Sequence, residues 1–368
     1  PLIAWQTLKD RSVFLDEQGK EAVNFNISYS LYIFILTVFF IPVFAGSFLL
    51  NEYNLVTIGD VNATSMHVHG KTLIGGDLNS TNAGVEFGLD APYENTVNLT
   101  VAGTISDGSG FTAKGYSIVD NANTVTNPNN ANQYFVNGRE IKNTKGVTTQ
   151  DLSSMPAEIE SNLKSSSSTF KNMTENSQLS TSGDSVNATH AFNIDNTLSS
   201  NDYAVFNLTA NSDIFQMDKN EKYEISANDV NNIAGVIINV AGTDITQQSS
   251  DHFTGFSKDS SFVSKIIWNF YEASTITLNT NFIGNILAPF ANLANTGGDI
   301  DGSVGVLSAG ATSNDEINVD EFGDMPSTCS SNFLISVTNT DIGDKLDSAY
   351  SQDSLFDQNN NMDRTVVS

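Results

Sequence analysis

His67 and His69 flank Val68, so on an extended strand both imidazoles project to one side. Two imidazoles are only part of a zinc site. A third ligand is required, and no cysteine or other histidine lies nearby in the sequence. The pair therefore reads as surface histidines, and no metal or cofactor is assigned. Asp299 and Asp301 flank Ile300 in a Gly-Gly-Asp-Ile-Asp-Gly corner. Alternate aspartates can share a calcium ion, which makes these two the calcium candidates. The spacing is not that of an EF-hand loop, and a turn explains the same residues. Asp315, Glu316, Asp320 and Glu321 form a further acidic group, read as solvated. There is no Gly-x-Ser-x-Gly elbow, Walker loop or His-Glu-x-x-His helix. A nucleophile also needs a positioned base, and the four histidines have no motif around them. No catalytic residue is assigned, and the chain reads as a non-enzyme.

Asn62, Asn79, Asn98, Asn172, Asn187 and Asn207 each begin an Asn-x-Ser/Thr triplet. These are acceptors for N-glycans on an exported chain. All follow an apolar segment, residues 31–50, within a stretch that carries no charge between Glu21 and Glu52. Twenty apolar residues at helical rise match a hydrocarbon core. The same segment resembles a secretory signal, with small residues after Pro42 where cleavage would fall. Signal peptide is the first reading of residues 1–50 and membrane anchor the second. Residues 1–30 lack the basic flank of a signal, and the first residue is proline, which fits a fragment or an upstream extension. Both readings place the rest of the chain outside the cytoplasm.

A net charge of −26, from 16 basic and 42 acidic residues, repels a phosphate backbone and excludes nucleic acid as a partner. Only 16% of residues are charged. Asn, Ser, Thr and Gly supply the polar surface instead, a balance that favours strands and turns over helix. The single cysteine, Cys329, cannot form an internal disulfide.

The elements follow from periodicity. Val56-Thr57-Ile58-Gly59-Asp60-Val61-Asn62 is echoed about sixteen residues later by Thr72-Leu73-Ile74-Gly75-Gly76-Asp77-Leu78-Asn79. Short apolar runs between Gly-Asp corners predict stacked coils of a β-solenoid, with a β-sandwich as the alternative. Over 150–179, Leu152, Met155, Ile159, Leu163, Phe170 and Met173 recur at helical steps. They predict one long amphipathic helix docked on the β core, although the serines at 165–168 would weaken it in isolation. Strong strands follow at 236–240, 265–270 and 274–278. The organisation is thus an N-terminal segment 1–50, a mostly β solenoid domain 51–326, and a polar tail 327–368 read as disordered.

Four stretches in order carry a resemblance. They are Asn231–Gly242, Ile266-Ile267-Trp268-Asn269-Phe270, Gly284-Asn285-Ile286-Leu287-Ala288-Pro289, and Gly297-Gly298-Asp299-Ile300-Asp301-Gly302. Together they resemble the choice-of-anchor A domain, an adhesive module of microbial surface proteins sometimes labelled collagen-binding. The likeness covers roughly 51–325. The closing Gly-Asn-Ile-Leu-Ala pattern is also similar to the microbial ice-binding β-solenoid fold, in which a helix lies along the coils. Within these stretches Asn239 and Asn269 are expected to face inward and stack as hydrogen-bonded ladders, and Gly284 and Gly302 to allow tight corners. That family often ends with Glu followed closely by His, and here the comparable Asn314-Asp315-Glu316-Ile317-Asn318 has none. The resemblance implies an extracellular or cell-surface adhesive module whose partners are matrix, glycan or cell-wall components. The alternatives are an ice-binding protein and, further off, a carbohydrate-active solenoid enzyme.

Overall fold

A computed structural model describes residues 48–90, 95–106, 110–128, 133–295, 297–311 and 316–319. Residues 1–47, the tail from 320 and Cys329 lie outside the described residues, as does Asp315.

The described chain winds into coils with three faces, and successive coils pair in parallel. On the first face the ladder runs through Tyr203–Thr209, Gly235–Ala241, Ile266–Asn269, residues 285–288 and 304–306, then Leu55–Thr57, Thr72–Ile74 and Val97–Val101. It ends on residues 116–120 and 144–150. The second face stacks Asp244–Gln247, Thr275–Leu278, residues 292–295, 308–311, 61–63 and 78–80, and Ile105–Ser106. The third carries Phe282–Ile283, Ile300–Asp301, Glu316–Asn318 and residues 67–68, 86–87 and 112–113. A separate sheet of Gln178–Gly183, Asn187–Asn193, Asn220–Ile225 and His252–Thr254 extends the β structure. The two Gly-Asp echoes of the sequence are neighbouring coils, with Val56 opposite Leu73 and Val61 opposite Leu78.

Spatial order differs from chain order. Leu55 is flanked by Thr72 on one side and Val304 on the other. The coil that opens the described chain is therefore the neighbour of the coil that closes it. From Leu55 the chain winds outward to Gln150. A helix, Met155–Lys171, then runs along the first face, and the remaining coils wind back toward the start. Seventeen helical residues span about 25 Å at 1.5 Å per residue, roughly five strand spacings. The helix is shorter than the apolar periodicity over 150–179. It stops at Asn172, whose amide donates back to Phe170, Ser168 and Thr169, and Pro156 falls harmlessly in its first turn.

The first face is apolar on both sides, which explains the unbroken runs at 236–238 and 266–268. Val236, Ile238, Ile266 and Trp268 point into the solenoid core. Ile237, Ile267, Leu287 and Val56 are equally buried but form no part of that core cluster. They lie under the helix, whose buried residues are Met155, Ile159, Asn162, Leu163, Ser166, Ser167 and Phe170. Phe48, Leu49 and Leu50, the last residues of the apolar segment 31–50, belong to this second layer. Phe48 meets Phe170 edge-on at 5.9 Å, and the Leu49 amide donates to Asn162 at 3.3 Å. The solenoid thus takes in three residues read from sequence as signal or anchor. No helix among the described residues is long and apolar enough to cross a membrane.

The seam between first and last coils is pinned by Asn54, which is fully buried. Its side chain donates to the Asn318 carbonyl at 2.8 Å and the Gly302 carbonyl at 3.3 Å, and accepts from the Gly70 amide at 3.1 Å. Asn54→Ala leaves these buried groups unpaired and should cost about 1–3 kcal/mol. Urea unfolding of the variant measures it, and a cost within error of zero would show that water replaces the side chain.

Candidate functional site

His67 and His69 are brought beside a carboxylate that their sequence neighbourhood lacks. Glu316 pairs opposite His67 across the seam. Its carboxylate lies 4.0 Å from His67 Nδ1 and 3.6 Å from His69 Nε2, and Asp90 lies 3.0 Å from His69 Nδ1. Among the described residues no three such side chains converge as a metal site. Of the two calcium candidates, Asp301 forms an ion pair with Lys258, whose Nζ is 2.7 Å from Oδ2, and accepts a hydrogen bond from Asn318 at Oδ1 at 2.8 Å. Asp299 instead accepts from the Glu316 amide at 3.3 Å.

The sequons divide by burial. Asn98 is 1% exposed and donates to the Lys114 carbonyl at 2.8 Å. Its side-chain amide is thus engaged inside the fold. Asn172, Asn187 and Asn207 are exposed and off the second face. Asn62 and Asn79 are on that face, joined by an Asn79-to-Asn62 amide hydrogen bond of 2.9 Å.

That second face is open, with no element among the described residues laid over it, and it is built from short side chains. One outward row reads Asp244, Thr275, Asn292 and Ser308, and continues through Asp60, Asp77 and Thr104. The next outward row reads Thr246, Thr277, Ala294, Gly310, Asn62, Asn79 and Ser106. Between them Ile245, Ile276, Leu293, Ala309, Val61, Leu78 and Ile105 point inward and are buried, which holds the pleat in register. Along the rows the hydroxyls bond to their neighbours. Thr275 donates to Asp244 at 2.6 Å, Ser308 to Asn292 at 2.5 Å, Thr104 to Asp77 at 3.0 Å, and Ser106 to Asn79. These bonds hold the side chains flat and engage their hydroxyl protons.

At the edge shared with the helix-covered face, Tyr271 is half-buried and Phe290 is 43% exposed. Lys171 lies over the Tyr271 ring at 4.3 Å and Lys164 over the Phe290 ring at 4.7 Å, both reaching from the helix. Burial and the neighbouring Glu272 charge push the Tyr271 hydroxyl pKa above its ordinary value.

The predicted asparagine ladder exists but faces the other way. Asn269 donates to Asn239 at 2.8 Å and Asn239 to Asn207 at 2.9 Å. These side chains face the helix rather than the solenoid interior: Asn239 also donates to the Phe170 carbonyl, Asn269 to the Ser167 carbonyl, and the Ser167 hydroxyl to Asn269 at 2.7 Å. A second polar cluster gave no sequence signal. His190 and Glu221, both fully buried, lie on adjacent parallel strands and meet at 2.9 Å. The Tyr223 hydroxyl donates to Glu221 at 2.5 Å, and burial, then the Glu221 charge, raises its pKa well above the usual value.

A family model described as "Putative Ice-binding-like adhesive domain" matches residues 48–319. A second, for the magnetosome magnetite crystal formation protein family, matches residues 1–66, most of them outside the described residues. No curated protein matches. Among solved structures, an ice-binding protein from the Antarctic ascomycete Antarctomyces psychrotrophicus is similar at 13% identity and a TM-score of 0.34. That alignment covers 73% of this chain and 95% of the other.

Proposed function

Because the chain belongs to the ice-binding-like adhesive domain family, we propose that it is a non-catalytic adhesive module acting outside the cell, with the open face as its binding surface. The observation that carries this reading is the face itself. It is a parallel sheet of small, mutually bonded polar side chains left uncovered, while the neighbouring face is sealed by a helix. A preformed flat surface loses little side-chain freedom on contact, which favours adhesion over a broad area. Matrix, glycan or cell-wall components are the partners this surface suits, and choice-of-anchor A is the finer family assignment we favour. Glycans at Asn172, Asn187 or Asn207 leave the open face clear, whereas one at Asn62 or Asn79 would mask it.

The test is a protrusion on the flat face. Ala294 is exposed between Thr277 and Gly310, so Ala294→Arg should leave the melting temperature unchanged. Adhesion of the full chain to intact cells or matrix-coated surfaces should fall about tenfold, a change of about 1.4 kcal/mol. Unaltered adhesion in both Ala294→Arg and Asn79→Arg would remove the open face from the mechanism. A second reading, ice binding, is favoured by Thr246 and Thr277, which stand side by side in register on this face. Thermal hysteresis of the purified chain decides it, and a value equal to that of buffer rejects it.

A further inference from the structure

We infer that the edge of the open face carries a binding strip for an uncharged polysaccharide laid along the solenoid axis, with Tyr271 and Phe290 as stacking platforms. This deepens the adhesive reading and rests on it.

The first observation is the aromatic pair. Phe290 is a large apolar ring exposed to 43%, whereas the other described phenylalanines are buried or, at Phe135 and Phe253, half-buried, and Tyr271 is half-open one coil away. Each ring has a lysine Nζ on one face, which fixes its orientation. The remaining ring surface suits the flat C–H face of a pyranose, since aromatic side chains contribute large, rigid contact area. Adjacent coils are about 4.8 Å apart, comparable to one sugar unit, so a chain along the axis can meet successive coils.

The second observation is hydrogen-bond polarity. In the row beside the rings, the hydroxyl protons of Thr275, Ser308 and Thr104 are engaged by neighbouring side chains. What the row then presents outward is largely acceptor, including the carboxylates of Asp244, Asp60 and Asp77. Sugar hydroxyls are the matching donors.

Charge narrows the polymer. Carboxylates along the row repel an anionic polysaccharide, while Lys164 and Lys171 over the rings repel a cationic one. An uncharged chain satisfies both ends of the strip.

The experiment measures binding of the full chain to cellulose, chitin and β-glucan particles, and to heparin beads, for wild type, Phe290→Ala, Tyr271→Ala and Tyr271→Phe. Expected is retention on at least one uncharged polysaccharide. Each alanine variant should weaken it about tenfold at unchanged melting temperature, and Tyr271→Phe, which keeps the ring, should bind nearly as wild type. Absence of binding to every uncharged polymer overturns the inference, as does binding indifferent to both alanine variants or stronger retention on heparin. Those results leave the adhesive reading standing if Ala294→Arg still weakens attachment to cells, so the two failures are distinguishable.

Discussion

His190→Ala is expected to destabilise the protein by about 3–5 kcal/mol, because it strips the partner from a carboxylate with no access to water. Glu221 is fully buried, and its side-chain contacts are His190 Nε2 at 2.9 Å and the Tyr223 hydroxyl. The imidazole also contacts the Thr181 hydroxyl at 3.0 Å through Nδ1 and stacks on the Tyr223 ring at 5.7 Å. Alanine removes the imidazole's contacts and leaves the buried carboxylate with the Tyr223 hydroxyl as its remaining named side-chain partner. Leu substitutions at both His190 and Glu221 should recover much of the loss, since an apolar pair of similar volume has no charge to desolvate. Denaturant unfolding of the two singles and the double at neutral pH gives the coupling. A His190→Ala loss below about 1 kcal/mol would mean that the site admits water and that the pair is not sealed.

Trp268→Ala should cost a similar amount, about 3–5 kcal/mol. The indole lies within a ring cluster of Phe192, Phe215, Tyr223, Phe253, Phe256, Phe270 and Phe282, with centroid separations from 5.5 to 6.4 Å. Its Nε1 donates to the Ile283 carbonyl at 3.0 Å. Removal opens a cavity at the junction of the solenoid with the separate sheet and leaves that carbonyl unpaired. Gly284 shows how tight the junction is: its φ is +115° and an added Cβ would lie 2.7 Å from the indole nitrogen. Trp268→Phe should therefore be costly too, though less so. Thermal unfolding checks both, and equal melting temperatures for wild type and Trp268→Ala would falsify the packing described here.

Coils were legible in the sequence because each Gly-Asp corner and its apolar run are local. Val56 and Leu73, or Ile238 and Trp268, signal strand by composition alone. The order of coils was not legible, because nothing near Leu55 announces that Val304 will lie beside it. The serines at 165–168 mislead for a related reason. They weaken a free helix, yet Ser167 is the residue that bonds to Asn269 under the docked one. Asn239 and Asn269 were recognised as a ladder, but strand periodicity does not say which side a later helix will cover. The open face escaped detection because its rows run across strands, drawing one residue from each distant segment. Glu316 next to His67 is the same effect in miniature.

The adjacency of the first and last coils also determines how the domain responds to force. Residues 48 and 319 belong to segments joined through Asn54, whose side chain bridges the entering strand and the Asn318 carbonyl. A pull between the flanking segments is therefore not transmitted along the stack of coils. It loads the seam, where the strands at 55–57 and 304–306 meet and where residues 61–63 of the open face pair with 309–311. Under tension the module is expected to open like a clasp at this one joint, and because the open face crosses the joint, opening it would divide that face in two.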